Sequence, residues 1–247
     1  MKIEESSDIS IEGVIVRDTS FWNTLIYRSD KVTLRNYKMI NARPTTREWN
    51  NTDGVNFDES TNGHLYNAFL YTGDDSMAVK NEYDGFGAIN TKDILHEKVV
   101  LYTNSVGCKI GTKTLGQSMD GIVFRDIDIV HAGRGLVIDA YDTAVIQNTR
   151  FEDIRIETVD SILIGLEEDD PPNWRECKNQ CIIQDTYFTN VSSEDKKVIN
   201  LHGRSQSFNI TGVHFENMTV QGNQVTGQNG PSAQWSINQF VTGIEFK

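Results

Sequence analysis

Short apolar segments recur along the whole chain, and each one is interrupted by polar residues and closed by Asn or Asp. Clear copies lie at residues 32–40, 121–129, 144–154, 180–190 and 208–218. Brief runs of β-branched and aromatic residues bounded by Asn, Asp and Gly are typical of β-strands. Helical periodicity sustained over about 11 or more positions is hard to find. The hydrophobic pattern therefore predicts an all-β fold.

The copies recur at intervals of roughly 22 to 37 residues, which fits a solenoid whose coils differ in loop length. We predict a single-stranded right-handed parallel β-helix, with residues 1–247 forming one domain. The alternative is an antiparallel β-sandwich, which requires tight hairpins between alternating strands. The Asn-Gly pairs at residues 62–63 and 229–230 do not lie between two such strands. Residues 167–178 and 222–234 are interpreted as excursions from the coil.

Asn and Asp residues recur at the predicted bends between strands. Examples are Asn36, Asp126, Asn148 and Asp185. Their side chains hydrogen-bond the local backbone and tolerate left-handed conformations, which suits tight corners. We expect these residues to occupy corners of the coil, while the apolar residues of each strand face a continuous interior column.

The 247-residue chain has a globular but polar composition, with 38% hydrophobic and 23% charged residues. Its net charge of −12 argues against a nucleic-acid partner, because such proteins need a basic surface. No run of 18 apolar residues exists, so no membrane-spanning helix is expected. The 3 cysteines form no disulfide framework, and Cys177 and Cys181 either pair or remain thiols. We predict neither a metal nor a cofactor.

The first residues of the chain contain no apolar segment of the kind found in secretory signals. The strand pattern begins at residues 9–16, and nothing before it resembles the cap that normally covers the first coil of a solenoid. We therefore expect either a preceding segment or a second chain to complete the solenoid.

Two clusters of carboxylates lie about one solenoid coil apart. Asp53 belongs to an Asn-Thr-Asp-Gly step at residues 51–54, and Asp74 and Asp75 follow 21 and 22 positions later. A coil of that length stacks the three residues on one wall. Clustered carboxylates resist joint ionisation, and proteins retain them mainly where protons or cations are handled.

Two simpler interpretations of these carboxylates remain open. Asp is common at turns, and carboxylates beside Asn carbonyls also suit calcium.

In a hydrolytic interpretation, a carboxylate separation of roughly 6.5–9.5 Å would match inverting glycoside hydrolases. Adjacent residues on a straight strand point to opposite faces, so Asp74 and Asp75 share a cleft only if the backbone bends. Gly73 permits such a bend.

Four steps along the chain occur in an order shared with a known family. They are residues 18–23, residues 51–54, the Gly-Asp-Asp at 73–75 and the Gly-Cys-Lys-Ile-Gly-Thr at 107–112. This series resembles the polygalacturonase family (glycoside hydrolase family 28) over about residues 10–160. The resemblance implies a right-handed parallel β-helix and an inverting hydrolysis. It also implies that Asp74 is the general acid and that Asp53 and Asp75 hold the attacking water.

Three positions depart from that family's pattern. Val106 stands where the family has a His. Val137 and Asp139 stand at the Arg and Lys positions of an Arg-Ile-Lys step that grips a uronate carboxylate. Losing both cations removes charge-assisted hydrogen bonds, and Asp139 would repel an acidic sugar. The departures predict a neutral, α-linked polysaccharide or oligosaccharide as substrate. Residues 118–131 resemble the dextranase and isopullulanase group (family 49), which acts on neutral α-glucans.

Further substrate-binding residues are expected on the same face. Trp49 lies just before the Asp53 motif and is the best candidate for a sugar-stacking ring. Lys80 and Lys109 can donate hydrogen bonds to sugar hydroxyls, and His131 and Asp139 complete the predicted set. Ordinary packing or an exposed solenoid face is the competing interpretation for each of them.

Two functions fit these observations. The first is an inverting hydrolase of α-linked, neutral glycans, which the retained carboxylates favour. The second is a non-catalytic glycan-binding or structural β-helix, such as an adhesin or tailspike-like protein, which the lost His and cations favour. Because polysaccharides occur outside cells, we expect an extracellular or periplasmic location. The expected partner is the glycan, with neither nucleic acid nor membrane involved.

Overall fold

The computed structural model describes residues 1–41, 51–82, 90–167, 181–230 and 232–247. These residues contain no helix and form 20 β-strands. The strands are β1 (Lys2–Glu4), β2 (Ser7–Glu12), β3 (Ile15–Arg17), β4 (Thr24–Tyr27), β5 (Asp30–Ile40), β6 (Val55–Asp58), β7 (Thr61–Thr72), β8 (Met77–Asn81), β9 (Thr91–Thr103), β10 (Val106–Thr114), β11 (Ser118–Ala140), β12 (Val145–Ile156), β13 (Val159–Glu167), β14 (Cys181–Ser193), β15 (Val198–His202), β16 (Phe208–Glu216), β17 (Thr219–Val220), β18 (Asn223–Gln224), β19 (Gln234–Ile237) and β20 (Val241–Phe246).

The strands stack along one axis in two long parallel sheets. Sheet A contains β1, β4, β6, β8, β10, β13, β15 and β19, sheet B contains β2, β3, β5, β7, β9, β12, β14, β16, β17, β18 and β20, and β11 runs through both. Within the described ranges, only β17 and β18 pair antiparallel. The predicted right-handed parallel β-helix is confirmed, and the parallel pairing of all the other described strands rules out the antiparallel sandwich.

The shift between hydrogen-bonded strands gives the length of each coil. Val55 of β6 pairs with Met77 of β8, a shift of 22 residues. Val145 of β12 pairs with Ile182 of β14, a shift of 37 residues. These two shifts match the limits that the sequence repeats predict. Coil length therefore varies through the connecting loops and through register shifts within four of the described strand pairs.

One interior column consists of stacked aromatic rings. Neighbouring ring centroids lie 4.8–5.4 Å apart, and the ring planes differ by 3–14°. Parallel strands lie about 4.8 Å apart in the hydrogen-bonding direction, so each coil holds its ring in contact with the next. The column is formed by His96, Phe124, Phe151, Phe188, Phe215 and Phe246.

Asn and Asp residues occupy left-handed corners of the coil, as predicted. The backbone φ is +52° at Asn36, +53° at Asp126, +54° at Asn148 and +52° at Asp185. These side chains also bond from coil to coil, since the Asn36 Oδ1 accepts a 2.6 Å hydrogen bond from the next corner residue, Asn67. These hydrogen bonds between corner side chains thus stabilise a left-handed backbone conformation that other side chains rarely adopt.

His96 is the polar member of the aromatic column. Its ring is fully buried, stacks on Phe124 and meets the Phe57 ring edge-on at 5.5 Å. Neither imidazole nitrogen has a hydrogen-bond partner in the described part of the chain. Burial, aided by the nearby His64, lowers the pKa of His96 from 6.5 to about 3. The folded protein therefore holds this ring neutral.

The described residues include no helix of the length and apolarity that crossing a membrane would require.

The substitution His96→Phe should stabilise the fold, because it completes the apolar column and removes two unpartnered polar atoms. In the unfolded chain the imidazole gains a proton below pH 6.5, whereas the folded pKa is about 3. The parent protein should therefore lose about 1.4 kcal/mol of unfolding free energy per pH unit as the pH falls through this window. Denaturant unfolding at pH 7.5 and 5 measures both effects.

The matched control is His214→Phe, which changes a histidine on the outer face of sheet B, where it stacks on Tyr187. Only the His96 variant should show a flatter dependence of stability on pH. A His96→Phe protein that unfolds at lower denaturant and keeps the parental pH slope would contradict this account.

Candidate active site

The predicted carboxylates meet at the point where the strands of sheet A begin. Because Val55 pairs with Met77, Asp53 lies beside Asp75 on the adjacent coil, about 4.8 Å away along the axis. The Gly54 N–H donates a 2.8 Å hydrogen bond to the Asp75 carbonyl and holds this register. Asp74 immediately precedes Asp75. The structure thus brings the three residues together as one row, here called the carboxylate row.

A local bend lets both Asp74 and Asp75 contribute to the row. The Asp74 carbonyl accepts 2.6 Å hydrogen bonds from the Thr72 hydroxyl and the Thr103 hydroxyl. The Thr72 and Ser76 hydroxyls are also bonded, at 3.0 Å. These side chains satisfy backbone groups that a continuous strand would otherwise pair, so the chain turns between β7 and β8.

Two glycines are needed at this bend for space. A Cβ at Gly54 would lie 2.2 Å from the Ser76 carbonyl oxygen, and a Cβ at Gly73 would lie 2.5 Å from the Thr52 hydroxyl. Gly73 is not among the glycines with a positive φ. The chain does bend at Gly73, as expected, and there the glycine leaves space for the Thr52 side chain of the adjacent coil instead of supplying a left-handed backbone.

Asp75 is the buried, ionised member of the row. Its Oδ2 accepts a 2.8 Å hydrogen bond from Lys109 Nζ, and its Oδ1 accepts a 2.7 Å bond from the Ser105 hydroxyl and a 3.3 Å bond from the Val106 N–H. Burial acts to raise the pKa of Asp75, but the Lys109 charge and these hydrogen bonds outweigh it and lower the pKa below 3.8.

Asp53 is equally buried but less strongly compensated. Its Oδ2 accepts a 2.9 Å hydrogen bond from Lys80 Nζ. Burial raises the pKa of Asp53 to about 6, Lys80 opposes this rise, and the charges of Asp75 and Asp74 add to it. Asp53 is therefore ionised only above mildly acidic pH.

Asp74 is half-buried and is the member best suited to hold a proton. Burial and the neighbouring Asp75 charge both raise its pKa. Its Oδ1 accepts a 2.8 Å hydrogen bond from the Asp75 N–H, so the side chain has a defined position. The row thus combines a carboxyl with a raised pKa and a carboxylate with a lowered one, which is the arrangement that acid–base catalysis needs.

Asn23 fixes the backbone beneath Asp53. Its side-chain amide donates hydrogen bonds to the carbonyls of Asp53, at 2.7 Å, and Thr52, at 3.4 Å. The Thr19 hydroxyl donates to the Asn23 Oδ1 at 2.5 Å. These hydrogen bonds give the motif at residues 18–23 a structural role. The sequence alone did not show which groups this motif contacts.

Lys80 is enclosed between a carboxylate and an aromatic pair. Its Nζ lies 3.8 Å from the Trp22 ring centroid, in addition to its bond with Asp53. The Phe21 ring stacks on Trp22 with centroids 5.6 Å apart, and Phe21 is 57% exposed. Lys80 is thus adjacent to the row, as predicted, but its charge is already engaged by Asp53 and Trp22.

Asp58 carries a second carboxyl group near Lys80. In the backbone register, Asp58 of β6 lies opposite Lys80 of β8. Its Oδ1 accepts a 2.8 Å hydrogen bond from the Glu82 N–H. Burial and the Glu59 charge raise the pKa of Asp58 to about 7, against the effects of Lys80, Lys113 and Arg28. The sequence drew no attention to Asp58, because only the coil register places it here.

Lys109 and Asp139 belong to a network on the other side of the row. Lys109 Nζ lies 3.8 Å from Asp139 Oδ2, in addition to its bond with Asp75. The Arg134 guanidinium binds the two Asp139 oxygens at 3.2 and 2.9 Å. Asp139 is 2% exposed. Both of its oxygens are therefore engaged by side chains of the protein itself.

The remaining predicted residues lie away from the row or outside the described ranges. The His131 ring packs against Tyr102 at 4.8 Å, and its Nε2 lies 3.6 Å from Asp160. These contacts place His131 at the junction of the two sheets, beyond Ser105. Trp49 falls outside the residues that the structure describes.

Ser105 and Arg134 gain importance from the structure. Ser105 bonds to Asp75, and Val106, at the position where a His was expected, contributes its backbone N–H instead. This contact was missed from the sequence, and the signal that could have found it is the 30-residue spacing between Asp75 and Ser105, which equals about one coil. In the described part of the chain, no group of three His, Cys, Asp or Glu side chains has metal-binding geometry.

Comparisons with known proteins agree with this fold and with the family resemblance. The model of glycosyl hydrolases family 28 matches residues 1–241. An endo-polygalacturonase of Pectobacterium carotovorum subsp. carotovorum is 23% identical over 213 residues, which are 83% of this chain and 48% of that protein. The chain spans about half the length of the curated relatives it matches.

Solved structures of polygalacturonases share the same fold. The polygalacturonase from Erwinia carotovora ssp. carotovora matches with a TM-score of 0.72 and 20% identity, covering 100% of this chain and 59% of that one. The hyperthermoactive exopolygalacturonase from Thermotoga maritima matches with a TM-score of 0.70 and 17% identity, covering 97% of this chain and 53% of that one. With nearly its whole length matched by the family model, the chain belongs to glycosyl hydrolases family 28.

Proposed function

We propose that this chain carries the active site of an inverting glycoside hydrolase that cleaves an α-linked glycan. The observation that carries the proposal is the carboxylate row, in which burial and neighbouring charge raise the pKa of Asp74 while Lys109 and Ser105 lower that of Asp75. A glycosidic bond is cleaved when one carboxyl donates a proton and another carboxylate accepts one. Membership of family 28 supports the same reaction class.

In the proposed reaction Asp74 donates its proton to the oxygen of the scissile glycosidic bond. Asp53 and Asp75 hold a water molecule and accept its proton as the water oxygen attacks the anomeric carbon from the opposite face. The bond to the leaving oxygen breaks as the new carbon–oxygen bond forms, so the anomeric configuration inverts. Asp74 then regains a proton from solvent, and the base returns its proton.

The two lysines set the protonation states that this reaction requires. Lys109 stabilises the ionised Asp75 at a position that is only 5% exposed. Lys80 does the same for Asp53, which without a cation would be protonated over a wider pH range. Each lysine therefore already has a carboxylate of this chain as its counter-ion.

We further propose that the substrate is a neutral polysaccharide or oligosaccharide. The relatives are named as polygalacturonases, so a uronate polymer is the natural comparison. A uronate needs a cation that can pair with its carboxylate, whereas Lys80, Lys109 and Arg134 are each engaged by an Asp of this chain. A polysaccharide substrate implies an extracellular or periplasmic location for the whole protein.

The variants Asp53→Asn, Asp74→Asn and Asp75→Asn should each abolish most turnover while leaving the fold intact. Each one removes a proton donor or acceptor, and loss of such a group costs about 10²–10⁴-fold in rate. Release of new reducing ends from a substrate that the parent cleaves is the measurement. The control is Asp93→Asn, at an exposed corner of sheet B. Full activity in all three variants would eliminate the assignment.

The variant Lys80→Gln should move the acidic limb of the pH–rate profile to higher pH. The limb of the parent is expected near the pKa of Asp53, at about 6. Removing the Lys80 cation disfavours the Asp53 carboxylate and raises that pKa further. Measurement of kcat/KM between pH 4 and 8 detects the shift, and Lys92→Gln, on sheet B, is the matched control.

Asp58 is the competing source of the acidic limb, because its pKa is raised to about 7 and Lys80 lowers it as well. The variant Asp58→Asn separates the two groups. Its limb should stay where it is in the parent if Asp53 controls the rate. A limb that disappears in Asp58→Asn, or that stays unmoved in Lys80→Gln, would refute the assignment to Asp53.

A panel of neutral α-glucans, α-galactans and polygalacturonate should show faster cleavage of a neutral polymer, with an inverted anomer as the first product. Reducing-end assays give the rates, and NMR of the fresh product gives the anomer. Faster cleavage of polygalacturonate would overturn the substrate proposal and leave the reaction class intact. Binding of a glycan without any product would favour the non-catalytic alternative.

A further inference from the structure

An open pocket of about 370 Å³ lies beside the carboxylate row, toward the C-terminal coils. Three successive coils of sheet A supply its lining. The lining residues are Asn104, Ser105, Gly133, Arg134, Asp160 and Ser161.

The pocket is joined to the carboxylate row through Ser105. Cys108 of β10 pairs with Met77 of β8, and this register places Ser105 next to Asp74 on the following coil. The Ser105 hydroxyl also donates its hydrogen bond to Asp75. The coils are about 4.8 Å apart, so a glycan held at Asp74 and extended along the axis reaches the pocket with its next units.

Among the described residues, Arg134 is the one basic side chain that lines the pocket. Its guanidinium points at Asp139 in a two-bond arrangement, with Nη1 to Oδ1 at 3.2 Å and Nη2 to Oδ2 at 2.9 Å. A guanidinium has five N–H groups, and this pair uses two of them. The side chain of Arg134 is 28% exposed, whereas that of Asp139 is 2% exposed. Arg134 therefore faces the pocket with N–H donors to spare, while Asp139 lies behind it.

The same pair determines which sugar the pocket accepts. The bidentate geometry is one in which Arg binds a carboxylate group, and Asp139 already occupies the face of Arg134 that Nη1 and Nη2 form. Asp139 also neutralises the Arg134 charge, and the second nearby cation, Lys109, is held by Asp75 at 2.8 Å and lies 3.8 Å from Asp139. A uronate entering the pocket would meet an occupied guanidinium and a second carboxylate.

The geometry points to this pocket as a subsite for a neutral sugar unit, in which Arg134 donates hydrogen bonds to sugar hydroxyls and Asp139 excludes a uronate. This inference rests on the proposed hydrolysis at the carboxylate row. It assigns a specificity-determining role to Arg134 and a positioning role to Asp139, in place of the direct substrate contact that the sequence predicts for Asp139.

The test compares binding of neutral and uronic oligosaccharides by calorimetry, with Asp74→Asn as the background so that bound chains are not cleaved. In that background Asp139→Asn should shift the ratio of affinities at least about tenfold toward oligogalacturonides, because it frees a charged guanidinium. The gain should weaken as salt is raised. Addition of Arg134→Gln to Asp139→Asn should remove the gain, since no guanidinium is then left for the uronate.

Chain length provides a second measurement that does not depend on Asp139→Asn folding. Arg134→Gln alone should weaken binding of longer neutral oligosaccharides about threefold to tenfold and leave the shortest bound oligosaccharide unaffected, because only longer chains enter the pocket. The matched control is Arg155→Gln, whose guanidinium pairs with Asp126 and Asp128 on sheet B, and which should change neither quantity.

The outcomes separate the subsite from the proposed function. An unchanged affinity ratio in Asp139→Asn, or equal losses for short and long chains in Arg134→Gln, would overturn the subsite while the parent protein still hydrolyses its glycan. Where Asp139→Asn does not fold, the chain-length result decides alone. A parent protein that cleaves no member of the panel would refute the proposed hydrolysis, and binding ratios would then test the pocket by themselves.

Discussion

The parallel backbone pairing of β6 with β8 is the constraint on which the candidate site depends. It sets a 22-residue shift and places Asp53 against Asp75. The adjoining hydrogen bond from the Gly54 N–H to the Asp75 carbonyl extends this pairing into the bend. Because side chains on a strand alternate between faces, a slip of one residue would direct a different set of groups into the cleft. Close contact at Gly54, which has no room for a Cβ, selects the observed register.

The pairing of buried carboxylates with lysines also depends on contacts between coils. Two members of the carboxylate row, Asp53 and Asp75, are each bonded to a lysine that comes from a later strand of sheet A. Lys80 on β8 bonds to Asp53, which precedes β6, and Lys109 on β10 bonds to Asp75, which precedes β8. Buried carboxylates without such partners would be protonated instead. The three carboxyl groups of the row are therefore paired unequally with lysines, and Asp74 is the least paired. The position at which each coil ends causes this difference.

Much of the architecture is readable from local patterns. Apolar strands closed by Asn or Asp predict the coil, since these residues tolerate the left-handed φ found at Asn36 and Asp185. The spacing of the carboxylate motifs equals a coil length, so their clustering was also predictable. Lys80 and Lys109 were predicted to bind substrate, and the structure shows them bonded to carboxylates of the chain. The partner of a long side chain depends on contacts between coils, and spacing alone does not define them.

The amino-acid sequence determined the solenoid, its corners and the presence of three acidic groups at one coil interval, because these features depend on local backbone preference and on a repeat length. The tertiary structure decided which groups are charged, which are buried and which face a pocket. Asp139 shows the difference. Its sequence position suggests a residue that meets the substrate, whereas the fold buries it behind Arg134. Burial and pairing arise from several coils at once, so no single segment of the chain encodes them.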